Sequence, residues 1–477
     1  MKTSIIIKSI LYLTICTVFI SSCSKKFLDL APPSQIPQNE AIVDESSMKD
    51  AVAGMYASLR AVDFFGRTLP ILGDLLADNI YIDPIQNSNR YLIDMTYTYT
   101  ENYGNVASTW ASAYNTILRA NNVINANIPK SDIVDQLKGE ALTIRALSYF
   151  ELVKFFARPY TADPSAPNAL GVPLVLTFDA KAKPARNSVG QVYNQIEQDL
   201  TAAYNLLNDQ SKNSSYVTKY VAAGLLARMY QFKGDFANAN NWALTVVNSG
   251  MYSLADSASL VTYWSNPFPV ANGLETMFEV EFDNIGNNGT DNLDAFFSQA
   301  GYGDALCTDN LYGNYSITDA RRALIVQDTR AGRGVLVVNK YPNTTNPNGK
   351  DNTKIMRYAE VLLILAESYN VLGDDASARQ ALNQLAQKRD PQFIGYSSSG
   401  DTLYNDIYRE RRKELAFEGH RYWDFTRNNA DVKRDNSTNN YGPTVPLILL
   451  ASSPRRIYPI PRQELNANPN MVQNPGY

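Results

Sequence analysis

An all-α, mainly helical fold is predicted for this chain, with tetratricopeptide-like helix pairs forming a scaffold that carries long irregular loop insertions and a few short strands. Two observations lead there. Segments with apolar residues at three and four spacing recur from one end of the chain to the other, and two pairs of them share a helix-turn-helix signature at identical offsets. Strand-like runs are scarce by comparison.

In chain order, Lys2 precedes an apolar stretch, Ile5 to Ile20, broken by Lys8 and closed by the small pair Ser21-Ser22 before Cys23. A positive start, an apolar middle and small residues at the cut describe an export signal over residues 1–22, too short and interrupted to span a bilayer as a helix. Cys23 is the expected lipidation site, where acyl chains contributing about 0.8 kcal/mol per buried methylene would anchor the chain to a membrane. Residues 23–39 are polar and interrupted by Pro32, Pro33 and Pro37, as befits a tether, and residues 40–477 are expected to form a single α domain.

Helical periodicity predicts helices over Ser46–Ala61, Ala107–Ala126, Ile133–Phe156, Val189–Leu207, Val217–Phe232, Phe236–Asn248, Ile355–Leu372, Asp375–Lys388 and Leu403–Phe425. Thr276–Phe282 and Gly334–Asn339 are the best strand candidates. Ala227-x2-Tyr230-x3-Gly234-Asp235 is followed by Ala239, and Ala366-x2-Tyr369-x3-Gly373-Asp374 by Ala378. Small residues at such places let antiparallel helices approach while an aromatic fills the gap beside them. Ala146-x2-Tyr149 is a third copy without the Gly-Asp turn. Two insertions, roughly 63–106 and 249–354, are expected on one side of the scaffold, and loops this long are commonly functional.

Composition excludes several classes. A net charge of −4 with interspersed signs gives no nucleic-acid footprint. Of three cysteines, Cys16 leaves with the signal and Cys23 would carry lipid, so Cys307 alone remains and no disulfide framework is expected. His420 is the single histidine, which rules out a multi-histidine metal site and argues against histidine acid-base catalysis. No Gly-rich phosphate loop, Gly-x-Ser-x-Gly elbow or His-Glu-x-x-His occurs. Paired carboxylates suffice for glycoside hydrolysis and sequence cannot forbid them. The chain is nevertheless read as a binding protein rather than an enzyme, with no cofactor and no metal. Between Tyr408 and Phe425, charges at three and four spacing (Glu410 with Lys413, Arg411 with Glu414) predict a helix that pairs them on its surface and docks Leu415, Tyr422, Trp423 and Phe425 inward.

Blocks spread along the whole chain resemble the SusD/RagB family of outer-membrane lipoproteins: Cys23-Ser-Lys-Lys-Phe-Leu-Asp-Leu30; Trp110-x3-Tyr114-x2-Ile117-x-Arg119-Ala-Asn-x-Val123; Gly139-Glu-Ala-x3-Arg145-Ala-x2-Tyr149-Phe; Gly171-Val-Pro-Leu174; Arg357-Tyr-Ala-Glu-Val-Leu-Leu-x2-Ala366-Glu; Glu410-Arg-Arg-x-Glu-Leu-Ala-Phe-Glu-Gly-His-Arg-Tyr-Trp-Asp424; and Tyr458-Pro-Ile-Pro-Arg-x-Glu-Leu-x-x-Asn468-Pro-Asn. The resemblance implies a surface-exposed lipoprotein of the cell outer membrane. It also implies a partner, a SusC-like TonB-dependent β-barrel transporter, over which the protein acts as a lid and to which it delivers captured oligosaccharide. In the RagB branch the cargo is peptide, and a surface glycoside hydrolase is the alternative of a different class.

The chain has 30 Tyr against 18 Phe and 4 Trp. A pyranose has an apolar face that stacks on Tyr or Trp and hydroxyls that suit polar side chains at the rim, so a glycan ligand fits this composition. The binding surface is expected on the insertions, with Asp78, Tyr81, Arg90, Tyr91 and Tyr103 from the first and Trp264 with Tyr302 from the second. Trp264, in a segment without helical period, is the leading single candidate for an exposed aromatic anchor.

Overall fold

A computed structural model describes residues 41–271 and 275–477. The export signal, Cys23 and the tether lie outside the described residues. Helix α1, Glu45–Ser58, opens on a reciprocal cap in which Asp44 accepts the Ser47 backbone N–H (2.8 Å) and the Ser47 hydroxyl accepts that of Asp44 (3.1 Å). Helix α2, Thr68–Leu75, is buried along its whole length. It lies inside what was expected to be a loop insertion. Leu69-Pro-Ile-Leu-Gly-Asp-Leu-Leu76 is apolar almost all round, so it shows no amphipathic stripe, and such a helix is stable only in a core.

The scaffold follows as α3 (Gly104–Ile124), α4 (Asp132–Phe156), α5 (Val189–Leu206), α6 (Lys219–Lys233) and α7 (Phe236–Asn248), each packed on the next. The second insertion carries the short helices α8 (Leu260–Ser265) and α9 (Leu293–Phe297). The stack then resumes: α7 packs on α10 (Tyr358–Val371), and α10 in turn on α11 (Asp375–Arg389) and α12 (Gly400–Glu414). Both predicted Gly-Asp turns are formed alike. Gly234 (φ 73°) and Gly373 (φ 87°) take the left-handed conformation that glycine permits. Asp235 and Asp374 donate their N–H groups to Tyr230 and Tyr369, while their side chains cap the next helix at Asn238 and Ser377. Ala227, Ala239, Ala366 and Ala378 are fully buried between the paired helices.

The predicted helix 403–425 is broken. After Glu414 the backbone turns through Phe417 (φ 69°) and Gly419 (φ 81°) before α13, Arg421–Arg427, resumes. The break lets Gly419 meet Gly73 of α2, so closely that a Cβ on Gly73 would stand 2.0 Å from the Gly419 carbonyl oxygen. The Gly419 N–H donates to the Asp74 carboxylate at 2.7 Å. Leu415, Tyr422, Trp423 and Phe425 are buried as expected. The charges between them are buried too, rather than lying on the surface. Glu410 pairs with Lys413 at 2.8 Å, but Arg411 turns to Asp424, and Glu414 is shared by Arg321 (3.0 Å), Arg357 (2.9 Å) and Arg389 (2.9 Å). Helix α12 is packed against α10 and α11, which buries Glu410, Arg411 and Glu414 and leaves Lys413 only partly exposed.

Strands are few and short, as expected, and extend beyond the two best candidates. β1 (Ile80–Ile82), β3 (Ala305–Cys307), β4 (Ile325–Arg330) and β5 (Arg333–Val338) form an antiparallel sheet of order β1-β3-β5-β4, while β2 (Thr276–Val280) pairs with β6 (Thr353–Arg357). β6 occupies the start of what periodicity assigned to the helix from Ile355. The β4-β5 hairpin turns on Ala331 (φ 49°) and Gly332 (φ 76°), a two-residue loop whose positive φ values match the strand twist. The four-stranded sheet joins the two insertions, since β1 comes from the first and its partners from the second. No helix among the described residues is long and apolar enough to cross a membrane.

Candidate functional site

Two loops of matching sequence follow strands of the two sheets. Asp83-Pro-Ile-Gln-Asn87 follows β1, and Asp283-Asn-Ile-Gly-Asn287 lies a short way beyond β2. In each the aspartate Oδ1 accepts the isoleucine N–H at 2.8 Å, and the asparagine Nδ2 donates to the aspartate carbonyl, at 2.6 and 2.8 Å. Each asparagine then accepts an N–H two residues on, at 2.9 Å, from Asn89 (φ 63°) and Gly289 (φ 58°). These side-chain turns turn Ile85 and Ile285 outward, at 65% and 97% exposure.

Arg90, just past the first loop, reaches across to the second insertion. Its guanidinium lies 4.1 Å from the Tyr302 ring centroid, donates to the Tyr302 hydroxyl at 3.1 Å, and stands 3.6 Å from Asp291. The side chain remains about one-third exposed. Arg67 holds Asp291 from beneath at 2.6 Å. Arg330 fastens both sides, donating to the carbonyls of Gln86 (3.0 and 2.9 Å) and Tyr302 (2.9 Å) and pairing with Asp304. Backbone carbonyls and a buried arginine thus fix where the surface pair sits, and little reorganisation is left for a ligand to impose.

Of the predicted site residues, the structure brings together Arg90 and Tyr302 from the two insertions. The expectation of exposure fails for several others. Trp264 is 3% exposed, inside helix α8, with the Lys340 and Lys354 ammonium groups 4.2 and 4.9 Å from its ring and Tyr341 edge-on at 5.9 Å. A six-residue helix is too short to show a period, which is why the segment read as loop. Tyr91 sits at φ 59° and points inward, where its hydroxyl takes the Arg67 Nε–H at 2.9 Å and Phe296 packs edge-on. Tyr81 is buried in β1 against Tyr441, and burial raises its hydroxyl to about 12. Asp78 is buried under Arg421 (2.7 Å) and Arg412 (3.2 Å); desolvation pushes its carboxyl up, but these cations prevail and hold it below the usual range. Tyr103 is half-buried and belongs to a separate cluster, donating to Asp94 at 2.6 Å.

Asp291 and Arg330 were missed, as were the two isoleucine tips. The repeated Asp-x-Ile-x-Asn spacing at 83 and 283 was the available signal. His420 is half-buried, and desolvation, with Arg228 and Arg411 nearby, drives its imidazole well below the ordinary value, so it stands neutral. Among the described residues no group of three or more His, Cys, Asp or Glu side chains is arranged to hold a metal ion.

The fold defines a helical protein with tetratricopeptide-like helix pairs and two insertions joined by a sheet. Residues 282–477 match the SusD family, and residues 26–231 match the family described as starch-binding associating with outer membrane. The chain belongs to the SusD-like family. It is 27% identical to SusD-like protein P2 of Formosa agariphila over 91% of this chain and 92% of that one, and 24% identical to SusD-like protein P38 of the same organism over 98% and 99%. Among solved structures, it is similar to a Bacteroides vulgatus protein provisionally named as sugar binding (29% identity, TM-score 0.83, 92% and 99% coverage). It is also similar to a SusD superfamily protein of Bacteroides thetaiotaomicron (26% identity, TM-score 0.82, 91% and 100%).

Proposed function

We propose that the protein is a non-enzymatic glycan-binding lipoprotein of the outer-membrane surface, anchored through Cys23, which passes oligosaccharide to a SusC-like TonB-dependent transporter and acts as its lid. The observation that carries the reading is the Arg90–Tyr302 pair, formed where the chain after β1 meets the chain before β3 on the sheet that joins the insertions. A partly exposed tyrosine face beside a guanidinium and the Asp291 carboxylate offers a stacking plane for a sugar ring and donors and acceptors for its hydroxyls. The family description as starch-binding and the sugar-binding name of one solved relative support the ligand class.

Calorimetric titration of a panel of neutral oligosaccharides and of peptides, on the native sequence and on Arg90→Ala and Tyr302→Ala, tests it. Each variant is expected to weaken glycan binding about tenfold, corresponding to about 1.4 kcal/mol, with melting unchanged. Peptide binding in place of glycan, or undiminished glycan affinity in both variants, would refute the reading. Affinity capture in mild detergent tests the transporter partnership, and release from membranes by Cys23→Ala tests the anchor.

A further inference from the structure

Of the chain's four tryptophans, Trp110, Trp264 and Trp423 are each 3% exposed, and Trp242, on α7, is the one that reaches the surface in part. Its ring meets Tyr204, in the last turn of α5, edge-on at 5.2 Å. The Lys219 ammonium, from the first residue of α6, lies 5.3 Å from the Tyr204 ring. Tyr220 follows in sequence and packs edge-on against Tyr252 at 6.4 Å. Trp242, Tyr204, Tyr220 and Tyr252 are all half-buried, so each ring is anchored in the scaffold and still meets water.

Polar groups border the rings. Lys219 pairs with Asp209 at 3.1 Å, and the two side chains are 29% and 60% exposed. Asp209 also lines an open cleft of about 70 Å³ with Gln210, Ser211, Asn213 and Tyr252, whose hydroxyl is held by that of Thr218 at 3.2 Å. At that size the cleft cannot enclose a sugar, since sites that do so run to about 300 Å³ or more. A ligand here lies along the surface. A sugar ring has an apolar face for an aromatic ring and hydroxyls for carboxylate, amide and ammonium groups. An acyl chain would leave the ion pair without partners, and a polyanion would meet Asp209. The one cation and the one anion cancel, which favours a neutral ligand.

We infer that this face of α5, α6 and α7 is a second carbohydrate site, taking a neutral polysaccharide chain with a sugar ring against Trp242 and hydroxyls at Lys219, Asp209 and Gln210. The inference rests on the glycan reading of the ligand, but the face shares no residue with the Arg90–Tyr302 site. Two sites on one molecule raise the affinity for a chain long enough to touch both, with no new contact at either.

Because the other tryptophans are buried, quenching of emission by iodide reports Trp242. The full chain is titrated with soluble starch, laminarin and arabinoxylan as neutral probes and with polygalacturonate as an acidic one. At least one neutral probe is expected to protect the emission, in Arg90→Ala and Tyr302→Ala as in the parent, and Trp242→Phe should remove the protected component. In affinity electrophoresis with that polysaccharide, Trp242→Ala should weaken binding about tenfold, and Asp209→Ala, at an exposed position, about threefold with the melt unchanged. No protection by any neutral probe, in a protein that binds short oligosaccharides through Arg90 and Tyr302, would overturn the second site alone. Absence of glycan binding in every assay would overturn both readings. Equal protection by polygalacturonate, undiminished affinity in both variants, or loss of a captured transporter with glycan affinity kept would each overturn the second site too.

Discussion

Trp264 sits where a cation and an aromatic ring share one buried site. Lys340, Lys354 and Arg357 all approach its indole, and each also reaches a carboxylate, at Glu418, Glu279 and Glu414. Trp264→Ala should therefore lower stability by about 3–5 kcal/mol in chemical denaturation, and a melt equal to that of the parent would show that the ring carries no packing. Asp294 gives a second expectation. Burial raises its carboxyl to about 6, against the pull of the Ala295 N–H, and Oδ2 has no partner among the described residues. The folded chain thus holds this proton more tightly than the unfolded one. Its contribution to stability is full below about pH 4 and is lost as pH rises through about 6. Asp294→Asn keeps the Oδ1 acceptor and removes the titration, so the variant should gain about 1–3 kcal/mol over the parent at pH 8 and little at pH 4. Melts of both proteins at the two pH values check it, and a pH-independent difference would count against the assignment.

At the scale of elements, the contact of α2 with the 415–420 turn is the least forgiving. Gly73→Ala would drive a methyl into the Gly419 backbone, which no side-chain rotation relieves. Such a variant should be destabilised by several kcal/mol or fail to accumulate, whereas Gly104→Ala, with open space around its Cβ, should melt like the parent. The same contrast explains what could be read in advance. Helices α3 to α7 and the two Gly-Asp turns were legible because an amphipathic face and a left-handed glycine leave local marks. Helix α2 was not, since an all-round apolar run has no stripe. The split of 403–425 was invisible because Gly419 answers to α2, far away in sequence. β4 reads as polar because four of its six residues are exposed, though its Ala331-Gly332 turn was a usable sign. In the site, Arg90 and Tyr302 were identifiable as polar-aromatic residues of the insertions, but their meeting depends on strand order, which periodicity does not encode.

Across the whole molecule, one buried ion cluster ties distant parts together. Glu275, beside β2, meets Arg389 of α11 at 2.6 Å, and Arg389 and Arg357 share Glu414 of α12. Desolvation pushes the Glu414 carboxyl up, but Arg389, Arg357 and Arg321 outweigh it and keep it well below the usual range, so the charge persists in the core. Glu414→Ala leaves three guanidinium groups short of a counter-charge and should cost about 3–5 kcal/mol. Because the cluster joins scaffold and insertion, fluorescence and circular dichroism should still report one coincident urea transition at lower midpoint. Separate transitions would mean that the parts unfold independently. The Gly419–Asp74 hydrogen bond spans 345 positions, and this distance is also a time. A ribosome adding about 5–20 residues per second needs roughly 20–70 s to reach the second partner after making the first. Through that interval the face of α2 that meets the 415–420 turn stays uncovered while its nearer neighbours are already made, so an early, almost wholly apolar helix waits on a late partner, and a holding chaperone gains by binding there.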